Sequence, residues 1–226
     1  MRYSLLLISI CLLSCQTDST LDPVSKASFI GTVNGNEILV IENGRKQFND
    51  SSIICTPSSS RSTGPKDKTI YSFQLYLGGL IYDKVPKNSI SIAFVNHLSN
   101  SQIDADNIIK KEVLNDVFSL GNKSYSANCL EQPGVLIEWY DSNRHKWTTN
   151  KYMSVSDLTK IPGNPNFANS SFKIVKSISL STPSPSFYKY SQYLEIAFNC
   201  NFYDSNGDSI KMTNAHFKGI FLIFKI

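Results

Sequence analysis

Between residues 71 and 77 the apolar side chains Tyr71, Phe73, Leu75 and Leu77 fall on every second position, separated by Ser72, Gln74 and Tyr76. A period of two puts alternate side chains on opposite faces of an extended chain, so this segment predicts a strand with one buried face. Ile90, Ile92 and Phe94 repeat the pattern after Lys87-Asn88. Ahead of them, Phe29 to Val33 and Ile38 to Ile41 flank Asn34-Gly35-Asn36, which reads as a hairpin closed by a tight turn. A second turn at Glu42-Asn43-Gly44 leads to a short strand within Phe48 to Cys55 and then an exposed loop, TPSSSRSTGPKDK, rich in Ser, Pro and Gly. Downstream, GVLIEWY (134 to 140) and His145 to Thr149 form a hairpin around Asp141-Ser142-Asn143-Arg144. Phe172 to Leu180, Tyr193 to Tyr203, Ser209 to Thr213 and His216 to Ile226 complete the strands, the last three as a meander. One segment departs from this habit. In IDADNIIKKEVLNDVF (103 to 118), Ile108, Ile109, Val113, Val117 and Phe118 approach helical spacing, with Asp104 placed to cap the start. The stripe suits packing against a sheet edge. The prediction is an all-β chain, an antiparallel β-sandwich or partly closed barrel of about nine or ten strands with one short helix.

Composition supports that class. Apolar residues make up 41% and charged ones 18%, enough to bury a core, and 13 Phe and 11 Tyr suit a pleated sheet. The net charge of +4 comes from lysines spread along the chain rather than from a basic run, which argues against nucleic acid as a partner.

Residues 1 to 14 carry Arg2 and then a nearly unbroken apolar run from Leu5 to Leu13, as an export signal does. The run is shorter than the roughly 20 residues that span a bilayer. It ends Leu12-Leu13-Ser14-Cys15, which resembles the bacterial lipobox, in which the cysteine is lipidated and becomes the first residue of the mature protein. The expected organisation is a signal peptide over 1–14, a flexible tether over 15–26 and a single sandwich domain over 27–226. The thioether-linked diacylglycerol and N-acyl chain on Cys15 would supply more than the single chain that binds membranes only marginally. The expected location is an outer-membrane lipid anchor, facing either the periplasm or the cell surface.

With Cys11 lost in the signal and Cys15 lipidated, the domain keeps Cys55, Cys129 and Cys200. At most one disulfide can form among them, and the sequence leaves the pair open. There is no CxxC, and His97, His145 and His216 show no metal-ligand spacing, so neither a metal site nor a cofactor is expected. The loop Asp204-Ser205-Asn206-Gly207-Asp208 has oxygen ligands that would suit calcium, but Ser209-Ile210-Lys211 follows where a further acidic ligand would be needed. A hairpin turn explains it better.

Several segments together resemble a known group. FIGTVNGNE after the lipidated cysteine and tether, then VFSLGNKSYSA, GVLIEWYDSNRHKWTTN, SFKIVKSI and IAFNCNFYDSNGDSIKMTNAHFKGIF follow the order seen in uncharacterised Bacteroidetes lipoproteins with β-sandwich domains of unknown function. The likeness extends over most of residues 28 to 226, with His216 standing where such endings commonly carry Gly. It implies a sandwich fold and an envelope location, and it brings no catalytic residues.

Chemistry is thinner. Glu138 and Glu195 each interrupt an apolar strand and are the carboxylates a glycoside hydrolase would use, but alternation explains them as outward-facing positions. There is no GxSxG nucleophile motif. Aromatic side chains near turns are the better hint, because Trp and Tyr hold glycan and protein partners. Trp147, Tyr140 and Tyr152 are the expected ligand-binding residues, Trp147 as the least core-like and Trp139 as core. The reading is a non-catalytic binding module for a glycan or an envelope or host protein. The alternatives are a structural part of an envelope complex and a hydrolase using Glu138 or Glu195.

Overall fold

The computed structural model describes residues 27–41, 58–60, 68–77, 88–102, 109–129, 131–152, 160–163, 165–180 and 188–224. Cys15 and its flanking signal and tether, the strand expected within Phe48 to Cys55, and Asp104 lie outside the described residues.

The chain opens as a hairpin of β1 (Ser28–Val33) and β2 (Asn36–Ile41). Asn34 (φ 49°) and Gly35 (φ 80°) both take positive φ, as a two-residue turn matched to strand twist requires. Next come β3 (Ser58–Ser60), β4 (Lys68–Leu77) and β5 (Ser89–Ser99), then a single 3₁₀ turn and the helix α1 (Lys111–Val117). They are followed by β6 (Gly121–Asn122), β7 (Gly134–Tyr140), β8 (Lys146–Thr148), β9 (Ser171–Ser179), β10 (Tyr188–Tyr203) and β11 (Ser209–Phe224). Eleven strands are therefore described, three of them only two or three residues long.

Hydrogen bonding runs in the order β2-β1-β11-β10-β8-β7-β5-β4-β3, with β9 on β10 and β6 on β9. The path has two free ends, so the sheet does not close and the barrel alternative falls away. Instead the sheet folds over on itself. β10 holds β9 along Gln192 to Asn199 and meets β8 at one pair only, Tyr203 with Thr148, which forms the corner. Across the fold Phe94 meets Phe172 (5.8 Å), Phe73 meets Phe221 (5.8 Å) and Trp139 meets Phe202 (6.1 Å). The period-two alternation is what delivers these side chains: Leu194, Ile196, Phe198, Cys200 and Phe202 all bury inward from β10.

Three sequence expectations need correction. Ser58–Ser60, within the segment read as an exposed loop, pairs with β4 at Ser72, Tyr71 and Ile70; an edge ladder needs backbone groups and no apolar face. The two strands expected over 209 to 226 are one continuous strand. Asn214 (φ 52°) absorbs the irregularity as a bulge, its N–H donating to Asn199 Oδ1 at 2.8 Å. The helix starts at Lys111 after Lys110, whose side chain makes no capping bond, and it lies over the core rather than beside it. Leu114 and Phe118 are buried, and the Phe118 ring stands 4.4 Å from Phe221 and 5.2 Å from Phe94.

The β4–β5–β7 layer is also covered on its outer face, where alternation alone predicts exposure. Ala93, Val95, Leu136, Cys129 and Tyr152 form a second apolar cluster there. Gly134 makes room for the covering chain, since a Cβ at that position would lie 2.8 Å from the Ser124 carbonyl oxygen. A parallel bridge from Tyr125 to Val135 then fixes the segment in place.

Candidate functional site

The β7–β8 turn is organised by one carboxylate. Asp141 Oδ1 accepts the backbone N–H groups of Asn143 (2.8 Å) and His145 (2.9 Å), and Oδ2 accepts the Trp147 indole N–H at 3.4 Å. Trp147 is thereby drawn down onto the hairpin, opposite Trp139 in register and packed against the core. It is half-buried, whereas Trp139 is buried in the core. Tyr140, also half-buried, carries the Lys146 ammonium over its ring at 5.7 Å. Tyr152 is buried in the second cluster and offers no exposed platform. These three aromatics do not form one surface.

The two glutamates are separated as well. Glu138 projects from the face of β7 opposite Ile137 and Trp139 and Glu195 from the face of β10 opposite Leu194 and Ile196, so the core lies between them. They cannot flank one scissile bond. Glu138 is covered rather than solvated and pairs with Lys146 at 3.4 Å. Glu195 is partly exposed. Desolvation raises its pKa, but the Tyr193 hydroxyl (2.8 Å), the bond from Lys176 (3.3 Å) and the charges of Lys176 and Lys218 outweigh this and hold the carboxyl below its usual range. A general acid needs the opposite shift.

Asp204 is nearly inaccessible, with its side chain 3% exposed. Its Oδ1 accepts the N–H groups of Asn206 and Asp208 at 2.9 Å each, and its Oδ2 faces His145 Nε2 at 3.0 Å and the Asn206 amide at 3.4 Å. These partners overcome the burial that would raise its pKa and hold it below the ordinary carboxylate range. With four N–H partners on its oxygens, Asp204 serves as the staple of a hairpin turn. Among the described residues no group of three or more His, Cys, Asp or Glu is placed to hold a metal. Cys129 and Cys200 are buried free thiols, and burial raises the pKa of both.

What the fold does assemble is a groove of about 610 Å³ at one end of the sandwich. One wall is the β1–β2 turn, with Val33, Asn34, Asn36 and Ile38; the other is the β7–β8 turn, Asp141 to Asn143, joined by Asn88 at the start of β5. The Asn88 N–H donates to the Asp141 carbonyl at 3.2 Å and ties these last two together. Trp139 borders the groove from the core side, 5% exposed, and its indole N–H is buried without a hydrogen-bond partner. Of these residues the sequence suggested only Trp139, and that as core. The asparagines occupy turns, and only their turn propensity was legible. Compared with protein-family models, curated proteins and solved structures, the chain matches none.

Proposed function

We propose that this protein is a lipid-anchored component of a bacterial outer membrane whose β-sandwich acts as a non-catalytic binding module for a glycan or for another envelope or host protein. The observation that carries the anchor is the sequence Leu12-Leu13-Ser14-Cys15 at the end of a short apolar run, followed by a polar tether. The binding role is supported by the groove, because turns carried on a rigid sheet are where binding residues concentrate. The protein-partner version has an observation of its own. Ile30 and Leu39 face each other across the edge hairpin and are 37% and 55% exposed, an apolar pair suited to contact with another chain.

The test is metabolic labelling with a palmitate analogue, followed by membrane fractionation. The wild type should take up label and sediment with the outer membrane, and Cys15→Ser should lose both properties. An unlabelled wild type recovered in the soluble fraction would overturn the anchor.

A further inference from the structure

We propose that the groove between the β1–β2 and β7–β8 turns binds a neutral saccharide, held by the side-chain amides of Asn34, Asn36, Asn88 and Asn143 against the edge of Trp139. This rests on the binding-module reading and gives it a place and a ligand class.

Three observations converge. First, none of the four amides is hydrogen-bonded within the protein, although all border one groove. A side-chain amide offers donors and an acceptor together, which matches a sugar hydroxyl that both gives and takes a hydrogen bond. Second, the charge of the lining is selective. Among the described residues Glu37 and Asp141 are its only charged ones, and these two carboxylates repel uronates, sulfated sugars and phosphates. The Asp141 carboxylate is already engaged by two backbone N–H groups and Trp147, so recognition falls to the amides. Third, Trp139 lines the groove, and its indole N–H is a buried donor without an acceptor. Buried donors are nearly always paired, and a ligand oxygen reaching this one would supply the acceptor it lacks. Beside it the partly exposed Ile38 gives an apolar contact for the C–H face of a pyranose ring. Nε1 is covered while the groove is empty, so a ligand that reaches it changes the surroundings of the indole, and the indole emission reports the change.

The experiment uses the full-length protein in mild detergent, titrated by calorimetry with a panel of neutral hexose and N-acetylhexosamine tetrasaccharides and with tetragalacturonate as an acidic control. Trp139 fluorescence is followed in parallel in a Trp147→Phe background. At least one neutral tetrasaccharide should bind and shift the emission, and tetragalacturonate should bind more weakly or not at all. Asn36→Ala and Asn143→Ala alter exposed side chains and should each weaken binding about five- to ten-fold without changing the circular dichroism spectrum. Trp139→Phe keeps a ring and removes the donor, and should weaken binding as well. Absence of binding to every neutral tetrasaccharide, preference for tetragalacturonate, or unchanged affinity in the Asn36→Ala/Asn143→Ala double variant would each overturn the proposal. The outcomes also separate it from the broader reading. Saccharide binding that survives the groove variants but disappears in Trp147→Ala would leave the binding module standing with its site elsewhere.

Discussion

Asp204 shows how much of a turn one buried carboxylate can hold. Its two oxygens meet backbone N–H groups, a side-chain amide and an imidazole, so protonating it removes charge from several hydrogen bonds at once. Because its folded-state pKa is depressed, the folded form binds the proton less readily than the unfolded chain does. The stability this contributes is present above the unfolded value of about 3.9 and is lost as pH falls through the folded value. Asp204→Asn should therefore lower stability at neutral pH by about 2 kcal/mol, since hydrogen bonds to a charged group are the stronger ones. It should also flatten the acid limb of the stability curve below about pH 4, where Glu195 contributes less because it is partly exposed. Denaturant unfolding of both forms from pH 7 to pH 2 checks this. Parallel acid limbs would show that the Asp204 charge is not what the turn depends on.

Among the elements, the helix α1 is the most instructive. Seven residues do not make a stable helix by propensity alone, and this one has no side-chain cap. It is held from outside. Phe118 follows its last turn into the aromatic cluster with Phe73, Phe94, Phe221 and Tyr190, and the Ser177 hydroxyl donates to the Phe118 carbonyl at 2.7 Å. Tyr190 reaches back to Asn115 at 3.3 Å and to Gln192 at 3.1 Å, and burial pushes its phenol up to about 12. Phe118→Ala should cost about 3 to 5 kcal/mol, as removal of a fully buried ring does. Leu120→Ala, two residues on and 64% exposed, should stay within about 0.5 kcal/mol. Equal losses in urea melts would mean that the helix is not anchored through Phe118. The helical spacing of 103 to 118 revealed that an element was present. It could not reveal that its last aromatic closes the core, because the rings that receive it come from four separate strands.

At the scale of the whole molecule, the folded sheet places its two described thiols in different compartments. Cys200 lies in the main core from β10, while Cys129 sits in the outer cluster, where its sulfur faces the Asn150 amide at 3.1 Å. They do not pair with each other. Both are essentially inaccessible and both have raised pKa values, so little thiolate is present to react at neutral pH. Pulse alkylation with peptide mapping should leave Cys129 and Cys200 unmodified in the native protein and label both once denaturant unfolds it. Rapid labelling of either under native conditions would show that its side of the sheet opens independently.

The repeating alternation of apolar and polar residues determined the class of fold and most of the strands, because burial on a pleated surface imposes a period of two on each strand locally. The Asn34-Gly35 turn was equally legible, since its backbone demands residues that tolerate positive φ. Alternation reports only which side of a strand a residue occupies, and whether that side is wet depends on what chain crosses it. Hence Glu138, outward by pattern, is covered, Tyr152, expected in an exposed turn, is buried, and Trp147 is drawn down by Asp141. The groove belongs wholly to the tertiary level. Asn34, Asn36, Asn88 and Asn143 come from three separate turns, and it is the sheet folding at the Tyr203–Thr148 corner that carries Trp139 and its turn to the β1–β2 hairpin.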